Sequence, residues 1–201
     1  MRPLDRELIY QIFSKCFYYP DEQLATLLND GILSDFLASV FPGSQKYSAE
    51  LAKWLAKSPA ADDLLSVLQV EYTHLFINSF PGVVAPIYSS YYSEKELFGR
   101  STAEISDFYQ RYNFDVATNL NEPADHLAIE LEFVYRMAKD EQPLAAQIEF
   151  IRNHILNWIH PLAEKVNEAA ERPFYPYVLA ALTKFLEKET KSKRMGKISS
   201  T

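Results

Sequence analysis

The chain has 201 residues, a mass of 23.1 kDa and a formal charge of −7. Apolar residues make up 48% and charged ones 23%, a globular composition with enough length to bury a core without disulfide or metal staples. The five glycines are too scattered for a phosphate-cradling loop, and the single cysteine, Cys16, excludes an intrachain disulfide and a multi-cysteine metal site.

Helical spacing runs through most of the sequence. From Leu4 to Tyr18, Ile9, Phe13 and Cys16 recur at i, i+4 and i+7. Pro20 closes that segment, and Asp21 is placed to cap a helix reaching about Asn29. Short helices follow at Ile32–Phe41 and Tyr47–Lys57, stopped by Pro42-Gly43 and Ser58-Pro59. Asp62–Asn78 is a stronger helix, with Leu65, Leu68, Tyr72, Leu75 and Phe76 along one stripe. Phe80–Tyr92 holds two prolines and a glycine, so an extended aromatic loop is expected there rather than a helix or a strand.

Ser101 or Thr102 can cap a helix through Tyr112. The polar stretch Asn113–Asn121 is then the one internal hinge candidate. Glu122–Lys139 is predicted as the central helix, with Pro123 at its first position and Asp125 in its first turn. Its apolar residues lie on two sides, Leu127, Leu131, Val134 and Ala138 on one and Ile129, Phe133 and Met137 on the other. Leu144–Ile159 is to be ended or kinked by Pro161, and Phe174–Glu189 is the last helix. The expected fold is all-α, a single compact bundle of roughly eight to ten helices with an internal hinge near 113–121. One domain over 1–190 and a flexible basic tail over 191–201 complete the expected organisation.

Charge and hydropathy narrow the partners. Residues 187–201 carry +3 and residues 1–186 carry −10. An acidic body disfavours nucleic acid, whose binding depends on phosphate neutralisation, and suits a basic peptide. No apolar run approaches the roughly 18 residues of a membrane span. Met1 to Glu7 lacks the apolar core of a secretory signal. A cytoplasmic, reducing location is expected.

Chemistry-bearing clusters are few. Glu71 and His74 have the Glu-x-x-His spacing of helical di-iron sites, but the second such motif that a complete site needs is missing. No metal, cofactor or catalytic residue is therefore assigned. Asp125 reads equally well as a helix cap or as a ligand carboxylate. Phe150, His154 and Trp158, spaced by four, read as core packing. Tyr72, Phe76, Phe80, Tyr88, Tyr91 and Tyr92 gather around Pro81 and Pro86, either as an aromatic groove for an apolar peptide or as a loop that tucks its rings inward.

The block from Glu122 to Phe133, Glu-Pro-Ala-Asp-His-Leu-Ala-Ile-Glu-Leu-Glu-Phe, resembles the signature of the TorD/DmsD/NarJ-type chaperones. Tyr72 to Phe76, Pro86 to Tyr92 and Phe150 to Trp158 are similar to three further segments of that family. Some members carry tryptophan where Tyr72 and Tyr88 stand, and proline where Ile87 stands. The resemblance implies a non-catalytic, all-helical cytoplasmic chaperone without a cofactor. Its partners would be the signal peptide, often of the twin-arginine type, and the apo catalytic subunit of a molybdenum oxidoreductase, held until the cofactor is loaded and before export or assembly. The peptide-binding set carried over is Tyr72, Leu75, Phe76, Pro86, Tyr88, Asp125 and His126. Monomer is the default expectation, with 113–121 the segment through which a domain-swapped dimer would form. On residues alone, two alternatives stay open, a helical metal-binding protein or enzyme and a generic helical peptide-binding adaptor.

Overall fold

A computed structural model describes residues 5–57, 61–79, 82–95, 99–116 and 122–191. Eleven α-helices follow in chain order, α1 (Arg6–Phe17), α2 (Glu22–Asn29), α3 (Ile32–Val40), α4 (Gln45–Leu55), α5 (Ala61–Tyr72), α6 (Ser89–Glu94), α7 (Arg100–Arg111), α8 (Leu127–Lys139), α9 (Leu144–Phe150), α10 (Ile159–Ala169) and α11 (Phe174–Lys191). Two π-helical turns, Thr73–Ile77 and Ile151–Ile155, continue α5 and α9. The described residues contain no strand, only an isolated antiparallel bridge between Tyr88 and His126. The expected all-helical class holds.

The helices form two compact units. The first takes the described residues of 1–18, 87–159 and 189–201, and the second those of 19–86 and 160–188. In the first unit α1 lies along α8. Tyr10, Phe13, Cys16 and Phe17 of α1 are fully buried, as are Leu127, Leu131, Phe133 and Val134 of α8. Each such large apolar side chain contributes about 1.5–3 kcal/mol on burial. The Ser14 hydroxyl donates to the Ala128 carbonyl at 2.8 Å and fixes the register of the pair. Phe133 also meets Tyr109 and Phe150 at ring distances of 4.6 and 4.7 Å, which explains the apolar residues on two sides of α8. His154 leans on Phe150 at 4.9 Å and Trp158 is buried, so this trio is packing, as its spacing suggests.

In the second unit, Asp21 caps α2 through the Leu24 N–H at 2.8 Å, as its position predicts. Gly31 stands in the left-handed region, φ 78°, between α2 and α3. Buried Tyr177 of α11 accepts or donates hydrogen bonds with the Ser44 and Ser48 hydroxyls, both at 2.8 Å, and stacks on Tyr47 at 5.5 Å. These contacts hold α4 against α11.

Several boundaries differ from the sequence reading. The central helix starts at Leu127, not Glu122, because Pro123 opens a turn that closes with the His126 N–H on the Pro123 carbonyl at 3.1 Å. Asp125 therefore precedes the helix. The segment through Tyr92 is not extended throughout, since Ser89–Glu94 is α6. Ser101 and Thr102 do not cap α7. Glu94 does, its carboxylate accepting from the Arg100 and Ser101 N–H groups at 2.7 and 2.6 Å. The predicted helix at Leu144 breaks before Pro161. The chain turns at 156–158, and α10 begins at Ile159 with Pro161 in its first turn, where a missing N–H costs nothing. Phe80, Pro81, hinge residues 117–121 and tail residues 192–201 lie outside the described residues.

Candidate functional site

The signature block and residues 87–90 of the aromatic loop meet in the first unit. Ile87 and Ser89 pair with the turn before α8. The Leu127 N–H donates to the Ile87 carbonyl at 3.1 Å, and the Ser89 N–H donates to the Asp125 carbonyl at 3.0 Å. The first N–H of α8 and the first N–H of α6, both without a partner inside their own helix, are thereby satisfied each by the other's segment. Asp125 adds its side chain, with Oδ2 accepting the Ser90 N–H at 2.9 Å. It caps α6, not its own helix.

His126 caps α8. Its Nδ1 accepts the Ala128 N–H at 3.1 Å, so that nitrogen carries no proton. Burial pushes the imidazole down from 6.5 to about 3, which keeps the ring neutral. The ring sits between two tyrosines, stacked with Tyr18 at 6.2 Å and edge-on to Tyr88 at 5.3 Å. Both tyrosines are half-buried and both donate to half-buried carboxylates. Tyr18 reaches Glu132 at 2.6 Å, and Tyr88 reaches Glu122 at 2.8 Å.

Beneath this patch lies a closed acidic centre. Asp125 and Glu130 are both fully buried. No donor among the described residues reaches Asp125 Oδ1. Burial, and then the charge of Asp125, hold the Glu130 carboxyl well above the usual carboxylate range. The Ser89 hydroxyl and Trp158 indole beside it pull the other way without reversing that balance. A carboxyl taken out of water without a paired cation favours its uncharged form, which is the cause of that upward push.

The other four expected site residues belong to the second unit. Tyr72, Leu75, Phe76 and Pro86 are all buried. Tyr72 meets Phe76 at 5.0 Å and Tyr175 at 6.0 Å, and exposed Tyr19 edges onto Tyr72 at 5.5 Å. The π turn explains how the loop is tied here. Its Asn78 N–H bonds the Thr73 carbonyl at 2.8 Å, and the Leu75 carbonyl turns to accept the Ala85 N–H at 2.9 Å. π turns are frequent at functional positions. Of the expected set, Tyr88, Asp125 and His126 are brought together in one unit, and Tyr72, Leu75 and Phe76 with Pro86 in the other.

Glu71 and His74 do not share a site. The Glu71 carboxylate accepts the Glu171 and Arg172 N–H groups at 2.8 and 3.0 Å, while His74 is half-buried on the π turn. Among the described residues no group of three or more His, Cys, Asp or Glu could hold a metal ion. Tyr18, Glu122 and Glu132 were not in the expected set. Glu122 and Glu132 sit inside the signature block, but only the fold shows Tyr18 beside it.

Residues 41–164 match the family model described as nitrate reductase delta subunit. Chaperone protein TorD of Actinobacillus pleuropneumoniae serotype 7 is 28% identical over 170 residues, covering 84% of this chain and 85% of that protein. Chaperone protein TorD of Shewanella sp. (strain ANA-3) is 29% identical over 187 residues, covering 89% and 88%. Among solved structures, a putative redox enzyme maturation protein from Archaeoglobus fulgidus is similar, with a TM-score of 0.60, 29% identity and coverage of 94% of this chain and 97% of that one. The chain belongs to the nitrate reductase delta subunit family, as a redox-enzyme maturation chaperone of the TorD kind. Its curated relatives are chaperones, not enzymes. No helix of the described residues is long and apolar enough to cross a membrane.

Proposed function

We propose that this TorD-family chaperone, which acts in molybdoenzyme assembly, binds the signal peptide and the apo catalytic subunit of a molybdenum oxidoreductase in the cytoplasm. It holds the subunit until its cofactor is inserted, before export or assembly. The observation that carries the arginine-binding part is the buried Asp125 Oδ1, which no donor among the described residues reaches. A buried acceptor left unfilled is costly, and a guanidinium brings the missing donors in charge-assisted hydrogen bonds. The segment 87–90 yields to admit it. Glu122 and Glu132 meet the basic peptide first, and the faces of Tyr18 and Tyr88 offer cation–π contact.

Tyr72, Leu75, Phe76 and Pro86 take the apolar stretch of the peptide, with exposed Tyr19 and Ile77 at the edge of that cluster. Tyr88, Asp125 and His126 take the basic head. His126 shapes the site and transfers no proton. The chaperone acts as a monomer. Titration calorimetry of the full chain with a twin-arginine signal peptide tests the reading. Saturable binding that weakens roughly tenfold or more when both arginines become lysine is expected, because only the guanidinium presents a bidentate fork. Equal affinity for both peptides contradicts it.

A further inference from the structure

We propose that a cleft in the second unit is a docking site for an acidic segment of a partner polypeptide, separate from the signal-peptide residues. The cleft has a volume of about 570 Å³ and lies between α4 and the α10–α11 connection. Lys46, Lys53, Lys57 and Arg172 line it, with Tyr47 and Trp54 in its wall.

The charge distribution is what singles it out. The sequence of this unit holds seven basic and twelve acidic residues. Four of those seven bases face the cleft, including every lysine of residues 19–86, against two of the twelve acids, Glu50 and Glu171. Neither acid closes the site. Lys46 and Glu50 stand 4.0 Å apart on exposed side chains, and Glu171 pairs with its neighbour Arg172 at 3.2 Å, also at the surface. Exposed pairs of this kind are weak and are readily exchanged for a partner's carboxylates.

Both walls are held in place. The Ser44 and Ser48 hydroxyls on Tyr177, and Tyr47 stacked on the same ring, fix α4. The Glu71 carboxylate holds the Glu171 and Arg172 N–H groups and so sets the opposite wall. This is the work of the residue whose spacing to His74 resembles half a metal motif. The lysines are strung along α4 and the turn after it, over about 16 Å at 1.5 Å per residue. Charges spread over that length match carboxylates along a chain segment and not a single phosphate. The half-buried indole of Trp54 and the prolines beside it offer apolar contact for the segment's side chains.

Fluorescence anisotropy of the full chain with a labelled peptide of alternating glutamate and tyrosine, about eight residues and ~25 Å when extended, tests this. Saturable binding is expected, weakening as salt rises and falling about tenfold or more in the Lys53→Glu/Lys57→Glu variant. A lysine–tyrosine peptide should not bind. The variant should keep its melting temperature and its affinity for a twin-arginine peptide, so the outcome is independent of the signal-peptide reading. Absence of binding, equal binding by the variant, or displacement of the peptide by inorganic pyrophosphate at comparable affinity overturns the proposal. The last result would make the cleft a phosphate site.

Discussion

Tyr88 and His126 face each other across an antiparallel bridge, with their rings edge to face at 5.3 Å. That pairing joins the aromatic loop to the start of α8, and its consequences can be measured.

His126 should make the fold acid-sensitive. Its folded pKa, about 3, lies below the unfolded 6.5. The unfolded state therefore binds the extra proton, and this contribution to stability is present above pH 6.5 and lost as pH falls toward 3. Glu130 runs oppositely, since its raised pKa favours the fold at lower pH. The two offset each other in part, so variants are needed to separate them. His126→Asn keeps a capping acceptor and removes the titration. Urea melts should show wild type losing about 2 kcal/mol more than the variant between neutral pH and about pH 5.

Glu130→Gln should stabilise the protein at pH 8 more than at pH 5. The amide removes the cost of ionising a buried carboxyl beside Asp125 and keeps its shape. Thermal melts at the two pH values check this, and a drop at pH 8 would show that the ionised form is needed.

Tyr177→Phe deletes one hydroxyl and strands two. Ser44 is buried, so the loss should be about 1–3 kcal/mol by denaturant midpoint. Phe133→Ala empties the centre of the ring cluster around α8 and should cost about 3–5 kcal/mol.

The helical class and most helix positions were legible because the apolar spacing is regular and stops such as Pro20 and Pro42-Gly43 are sharp. Other features depended on distant partners. Glu94 caps α7 from outside it, and Asp125 caps α6 from a segment 35 residues later in the chain. No local pattern encodes either contact. α10 was hidden because Pro161 reads as a stop, although a first-turn proline starts a helix equally well. Among the signature residues, Asp125 and His126 lie against the segment that carries Tyr88. Their burial did not follow from the sequence, because a first-turn Asp125 reads equally well as a helix cap or a ligand carboxylate, and neither reading reveals the distant Tyr88 segment packed against it.

The central claim is that Asp125 takes the arginines of a signal peptide. Asp125→Asn retains an oxygen for the Ser90 N–H and loses the charge. Its urea midpoint should correspond to a change within about 1 kcal/mol of wild type. Titration calorimetry of the same variant with a twin-arginine peptide should show affinity lower by about 1.5–3 kcal/mol, roughly ten- to a hundredfold. Unchanged peptide affinity, whatever the midpoint does, would contradict the account and leave Asp125 as a helix cap alone.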